Sequence, residues 1–347
     1  MTLPLLALTL LTLSPPPPAR PQDWTTIESD PGVFTSLVSK FGSSGVEFEE
    51  LYALEDDMLP ADAHGLIFLF KYSAAGQRDD DGKYRALTAE DVQVQAPSLF
   101  FAKQVVQNAC ATQAILSILL NVDKGGWSGA FETGAVLEDL KSFCGDFPAD
   151  MKGEMIGMQE TIREAHNSFT RQDPFVSDEK KVATDDDDVF HFIAYVPSGG
   201  KVYELDGLKP GPVVLGDVPG GDNSGKGWMR VARERIQDRI ERYAQTEIKF
   251  NLMAVVEDKR VKIQKAMELD PGDVSLVEAL EREEAKRAGW ETENARRQHN
   301  YIPFVIELVR QLAEKGKLRG VMKKGEEKVK AKKEAGGGGA AGGGKRA

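Results

Sequence analysis

The stretch from Phe190 to Asp206 (FHFIAYVPSGGKVYELD) constrains the fold of this 347-residue chain more than any other. Two runs rich in aromatic and β-branched residues, Phe190–Pro197 and Lys201–Leu205, flank Ser198-Gly199-Gly200. That pattern predicts a β-hairpin, and hence an antiparallel sheet. With the two glycines as a two-residue loop, Ser198 pairs with Lys201 and Asp206 comes to face Ile193. Side chains alternate along a strand, so His191 shares the face of Ile193. His191 and Asp206 are then diagonal neighbours, about 7–8 Å apart at Cα.

The rest of the first 258 residues reads as mixed α/β. Phe48–Tyr52, Gly65–Tyr72 and Glu247–Val256 are expected strands, the last with Ile248, Phe250 and Leu252 alternating. Asn108–Leu120, Asp150–Phe169 and Trp228–Tyr243 are expected helices. In the last of these Trp228, Val231, Ala232, Ile236, Ile240 and Tyr243 share a face. Beyond Asp258 the character changes. Asp273–Asn300 is a long charged helical stretch. Tyr301–Leu312 (YIPFVIELVRQL) is a compact apolar helix whose surface requires a dock. From Lys323 onward eight basic and three acidic residues end in a Gly/Ala tract, which reads as a solvated flexible tail. Four segments follow: an N-terminal extension (1–22), an α/β domain (23–258), a helical docking region (259–318) and a disordered tail (319–347).

Charge and composition exclude several classes. The net charge is −11, so a whole-protein grip on nucleic acid, which needs a basic face, is not expected. Two cysteines make no disulfide scaffold, and the chain reads as intracellular. The four histidines, His64, His166, His191 and His299, have no metal-ligand spacing to one another or to a cysteine; no metal and no cofactor are expected. The apolar run Leu3–Leu13 is too short to cross a bilayer and no basic residue precedes it. It reads as a disordered or spurious extension, with the apolar region of a signal peptide as the less favoured reading, and no membrane partner is expected. Gly220–Gly227 (GGDNSGKG) lacks the final hydroxyl of a phosphate-binding loop, and Asp185–Asp188 lacks the spacing of a calcium loop.

The chemistry concentrates in Phe100–Asn121 (FFAKQVVQNACATQAILSILLN). Cys110 falls at the start of the predicted helix, where the helix dipole stabilises a thiolate nucleophile. Gln104, six residues earlier, offers an amide donor that could form an oxyanion hole with the Cys110 backbone N–H. A cysteine nucleophile needs a base and the base an orienter, and the predicted hairpin supplies both as His191 and Asp206. Cys144 has no histidine near it in sequence and reads as a structural thiol. His64, His166 and His299 read as ordinary polar positions.

Taken together, QVVQNACATQAILSILLN and FHFIAYVPSGGKVYELDGLKPGPV resemble the ubiquitin C-terminal hydrolase family of cysteine peptidases. GVFTSLVSKFG (Gly32–Gly42) and VEFEELYALE (Val46–Glu55) extend the likeness over residues 23 to about 258. The resemblance implies a papain-like, knotted α/β fold with a central antiparallel sheet flanked by helices, plus a C-terminal helical extension. It implies Gln104 as oxyanion stabiliser, Cys110 as nucleophile, His191 as general base and proton donor, and Asp206 as the residue orienting His191. The activity implied is that of a ubiquitinyl hydrolase cutting after the terminal Gly of ubiquitin, whose basic tail suits an acidic enzyme. The segment ENARRQHNYIPFVIELVRQLAEKGKL is similar to the larger, proteasome-associated branch. That implies docking on a proteasomal ubiquitin receptor through residues 301–318, and a cytoplasmic and nuclear location. A latent or inactive ubiquitin-binding proteasome adaptor is the alternative. Asn167–Asp188, acidic and long, matches by position the loop that crosses the active site in this family.

Overall fold

Residues 24–71, 84–122, 131–170, 190–221, 223, 225–243 and 250–336 are described by a computed structural model of the chain. Their strands are β1 (Val46–Glu50), β2 (Gly65–Lys71), β3 (Phe190–Ser198), β4 (Lys201–Leu205), β5 (Val213–Asp217) and β6 (Phe250–Glu257). Among the described residues these form one sheet in the order β1-β6-β2-β3-β4-β5, antiparallel at every pairing. The predicted hairpin is β3–β4. Gly199 and Gly200 have φ of +55° and +76°, the left-handed pair that a tight hairpin turn demands and that glycine adopts without steric cost. Ser198 pairs with Lys201 and Ala194 with Leu205.

Both faces of the sheet are covered, which is why its strands are apolar on both sides. On one face Ile67, Phe192, Ala194, Val196, Met253 and Val255 pack with α1 (Pro31–Lys40) and α3 (Cys110–Leu119). On the other, Leu66, Phe68, Ile193, Tyr195 and Val256 pack with Trp228, Ala232 and Ile236 of α7 (Gly227–Tyr243). All of α3 after its first residue is buried, and its polar side chains Thr112, Gln113 and Ser117 bond His166 Nδ1, Ala102 O and Gln113 O. Truncating Ile115 or Ile118 there to alanine is expected to cost about 2–5 kcal/mol.

The structure differs from the sequence reading in several places. The single helix expected over Asp150–Phe169 is two, α5 (Ala149–Met158) and α6 (Glu160–Asn167). Gln159, at φ −69° and ψ 102°, closes one and opens the other. Strand β5, with a register shift opposite Val202/Tyr203, went unread because Pro and Gly surround it. Helices α1, α2 (Ala89–Gln95) and α4 (Ala135–Cys144) have no counterpart among the expected elements, and α8 (Lys259–Leu269) falls in the region 259–318 expected to be helical.

The compact unit that carries the sheet does not end near Asp258; it runs to Gln298. The reason is α9 (Val274–Gln298), which lies along α1. Trp290 covers Gly32 so closely that a Cβ there would stand 2.6 Å from its ring. Asn294 Nδ2 donates to Gly32 O at 3.1 Å and to Ser36 Oγ at 2.9 Å. Arg297 reaches Asp30 at 2.9 Å, and Arg287 bridges Glu47 (3.2 Å) and Asp258 (3.0 Å). These attachments are polar, so hydrophobic periodicity could not reveal them.

A second unit contains α10 (Ile302–Glu314) and α11 (Leu318–Gly336). On α10 the side chains of Phe304, Val305, Ile306, Leu308 and Val309 are all exposed. Arg310 ties Glu307 and Glu314 on the same helix at 2.8 and 2.7 Å. The expectation of disorder from residue 319 needs correction, since α11 extends to Gly336. Lys, Glu and Ala are strong helix formers, and mixed charge at helical spacing supports rather than melts a helix. The extension over residues 1–22, residues 171–188 of the acidic Asn167–Asp188 segment and the tract after Gly336 lie outside the described residues.

Candidate active site

His191 is the second residue of β3, and Asp206 follows β4 directly. The β3–β4 register therefore sets them side by side. His191 Nε2 lies 2.7 Å from Asp206 Oδ1, and both residues are buried. The turn after β4 completes the hold on the carboxylate. Leu208 N–H donates to Asp206 Oδ1 at 3.0 Å, and the turn itself is closed by Lys209 N–H donating to the Asp206 backbone carbonyl at 3.0 Å. Burial opposes the charge on Asp206. The bonds from the His191 ring and the Leu208 amide outweigh it and hold the carboxyl below its ordinary value.

The imidazole obeys the same balance with the opposite sign of charge. Burial works against protonation, but the hydrogen bonds to Asp206 and to the Cys110 sulfur carry the ring up to about 9. Phe70, paired with His191 across β2–β3, meets the ring edge-on at 5.9 Å and 82° and limits its rotation.

Cys110 begins α3, half-buried and hydrogen-bonded to His191. With Nε2 committed to Asp206, the other ring nitrogen remains for the sulfur. The residue before the helix, Ala109, supplies no side-chain cap. Two residues before Cys110, Asn108 turns the chain with φ +63°, a conformation asparagine tolerates better than most residues. The other thiol has a different setting. Cys144 is buried and donates to Leu140 O at 2.9 Å, and burial pushes its pKa up.

Gln104 is tied to the same turn as Asp206. Its backbone N–H donates to Gly207 O at 2.9 Å, and a Cβ on Gly207 would stand 2.9 Å from Gln104 Cβ. Only glycine admits that approach. The Gln104 amide donates to Val106 O at 3.1 Å, while its Oε1 is buried without a hydrogen-bond partner among the described residues. Gln113, one turn into α3, donates to Ala102 O at 2.8 Å and braces the segment from behind. All four residues singled out from sequence thus converge on one locus.

The sequence assigns no role to Asn108 or Gly207, and the expectation that His166 is an ordinary polar position needs correction. A glycine after the aspartate was the available signal for the second. His166 had none, since a lone histidine on a helix looks ordinary. It is in fact fully buried between Thr112 Oγ1 (2.7 Å from Nδ1) and Thr25 O (2.5 Å from Nε2).

Comparison with known proteins agrees with this architecture. Residues 24–241 match the family model of ubiquitin carboxyl-terminal hydrolase, family 1, and residues 275–318 match a second model, of ubiquitin carboxyl-terminal hydrolases. The chain is 40% identical to ubiquitin carboxyl-terminal hydrolase isozyme L5 of Dictyostelium discoideum, over 90% of this chain and 98% of that one. It is 41% identical to ubiquitin carboxyl-terminal hydrolase 2 of Schizosaccharomyces pombe, over 82% and 89%. Among solved structures it is similar to Trichinella spiralis UCH37 bound to ubiquitin vinyl methyl ester. That match has a TM-score of 0.57 and 34% identity, covering 79% of this chain and 98% of the other. A sheet with this hairpin, a cysteine heading the buried helix and matches of this extent leave one assignment: the chain belongs to the ubiquitin C-terminal hydrolase family of cysteine peptidases.

Proposed function

We propose that this protein is a deubiquitinating thiol protease that hydrolyses the bond after the C-terminal Gly of ubiquitin. The observation that carries the reading is the His191–Asp206 pair at 2.7 Å with Cys110 bonded to the same imidazole. The Cys110 thiolate attacks the glycyl carbonyl carbon and the oxygen takes the charge. Gln104 and the uncapped N–H at the start of α3 stabilise that oxyanion. As the intermediate collapses, the C–N bond breaks and His191 gives its proton to the leaving amine. Water, deprotonated by His191, then attacks the thioester, and the sulfur leaves. Asp206 keeps the imidazole oriented throughout.

The test is release of a fluorophore from ubiquitin carrying a fluorogenic C-terminal amide. Wild type is expected to release it and Cys110→Ala is not. Equal release by both overturns the reading, as does ubiquitin binding with no release by either.

The place of action proposed is the proteasome, in cytosol and nucleus, with residues 301–318 binding its ubiquitin receptor. Two observations support this. Helix α10 exposes five large apolar side chains, a surface suited to a partner helix or groove. The second family model ends within the same region. Deleting Tyr301 onward is expected to abolish co-purification with proteasomes while leaving hydrolysis of the fluorogenic amide. Full co-purification of the truncated chain overturns the docking assignment.

A further inference from the structure

The nucleophile's helix starts without a cap. Its first amides are the donors that an oxyanion needs, and a side chain bonded to them from Ala109 would compete with substrate. An uncapped helix start frays unless something else holds it. Here two side chains flanking Cys110 are anchored to one neighbouring segment. Asn108 Nδ2 donates to Trp24 O at 3.0 Å. Thr112 Oγ1 bonds His166 Nδ1 at 2.7 Å, and His166 Nε2 lies 2.5 Å from Thr25 O.

We propose that His166 is a positioning residue for Cys110, using both ring nitrogens to clamp the first turn of α3, at Thr112, to the Trp24–Thr25 segment on which Asn108 also rests. The inference rests on the hydrolase reading above and assigns that site a supporting layer.

The clamp has a defined polarity. Thr25 O can only accept, so His166 Nε2 carries the hydrogen; Nδ1 is then an acceptor and Thr112 the donor. A doubly protonated ring would reverse the second bond, with Nδ1 donating to Thr112 Oγ1, and would bury a charge with no counter-ion among its hydrogen-bond partners. Burial accordingly holds the His166 pKa down to about 4, against the opposing pull of Thr25 O. The Trp24 ring packs against the imidazole at 4.9 Å and closes the site to water. Thr25 is itself fixed, its N–H and Oγ both donating to Asn167 Oδ1 at 3.1 and 3.0 Å. Asn167 ends α6, so the clamp joins the nucleophile's turn to the end of that helix.

The test uses the full chain and ubiquitin C-terminal fluorogenic amide, with competent sites counted by complete labelling with ubiquitin vinyl methyl ester. Thr112→Val keeps the side-chain shape and removes the donor. It is expected to lower kcat per labelled site about tenfold, with KM within about twofold. Thr112→Ser restores the donor and is expected to recover most of that loss. Asn108→Gly keeps the left-handed backbone while removing the other anchor; it is expected to lower kcat per site about fivefold. Two results overturn the clamp: kcat per labelled site unchanged in both Thr112→Val and Asn108→Gly, or equal losses in Thr112→Val and Thr112→Ser. A merely structural role reduces the number of labelled sites and leaves the rate at each intact. A wild type that turns over nothing overturns the hydrolase reading itself.

Discussion

Among the described residues two histidines lie buried, both against the first turn of the nucleophile's helix, and their rings are driven in opposite directions. His191 is raised to about 9 and His166 lowered to about 4. Burial pulls both the same way, toward the neutral ring. The difference lies in the partner. His191 faces the Asp206 carboxylate and a sulfur, whose charge is worth more in a dry site than the hydration it replaces. His166 faces a carbonyl and a hydroxyl, which satisfy its hydrogen bonds without supplying a charge. One ring is suited to moving a proton and the other to holding still.

The largest effect expected from breaking this contrast is at Asp206. Asp206→Asn leaves a partner of the same shape without the charge, so His191 loses both its orientation and its raised pKa. Turnover of a ubiquitin C-terminal amide is expected to fall about a hundredfold or more, with ubiquitin affinity nearly intact. An unchanged kcat removes Asp206 from the mechanism.

Stability against pH sharpens the comparison. His166 has a folded value below its ordinary 6.5, so the unfolded chain binds its proton first. Its contribution is present above pH 6.5 and is lost as pH falls from about 6.5 to 4, by about 3 kcal/mol. His191 is raised, so its contribution is present below 6.5 and is lost as pH rises through about 9. Denaturant midpoints measured from pH 4 to 7 are expected to fall on acidification less steeply in His166→Asn than in wild type. Identical slopes overturn the neutral assignment of His166.

The smallest effect concerns the two thiols. Cys144 donates to the helical carbonyl of Leu140, and among the described residues no hydrogen bond joins it to an imidazole. Cys144→Ser is expected to keep kcat within about twofold and to cost about 1 kcal/mol of stability at most. A larger loss of turnover with unchanged stability reassigns that thiol.

Legibility in the sequence followed the range of the interaction. The His191–Asp206 pair could be derived because a Gly-Gly turn fixes register and period-two alternation fixes the face. Cys110 could be singled out because it stands where an apolar run begins. What stayed hidden depended on contacts distant in sequence. The tie between Gln104 and Gly207 joins residues that no local pattern relates. The seat of α9 on α1 is made by Trp290, Asn294 and Arg297, on a helix whose composition reads as solvated. The break at Gln159 carries no Pro to mark it, and Gly157 two residues earlier is the one weak helix former near it. His166 is the sharpest case, since nothing in its neighbourhood distinguishes a buried clamp from a surface histidine.

The central claim is that one sulfur of two, the one bonded to the charged imidazole, is the nucleophile. Treating the intact chain with ubiquitin vinyl methyl ester and locating the adduct by peptide mass spectrometry tests it directly. The account predicts one ubiquitin per chain, bonded to Cys110, with labelling slowed in His191→Gln. An adduct on Cys144, or an unlabelled Cys110, contradicts it.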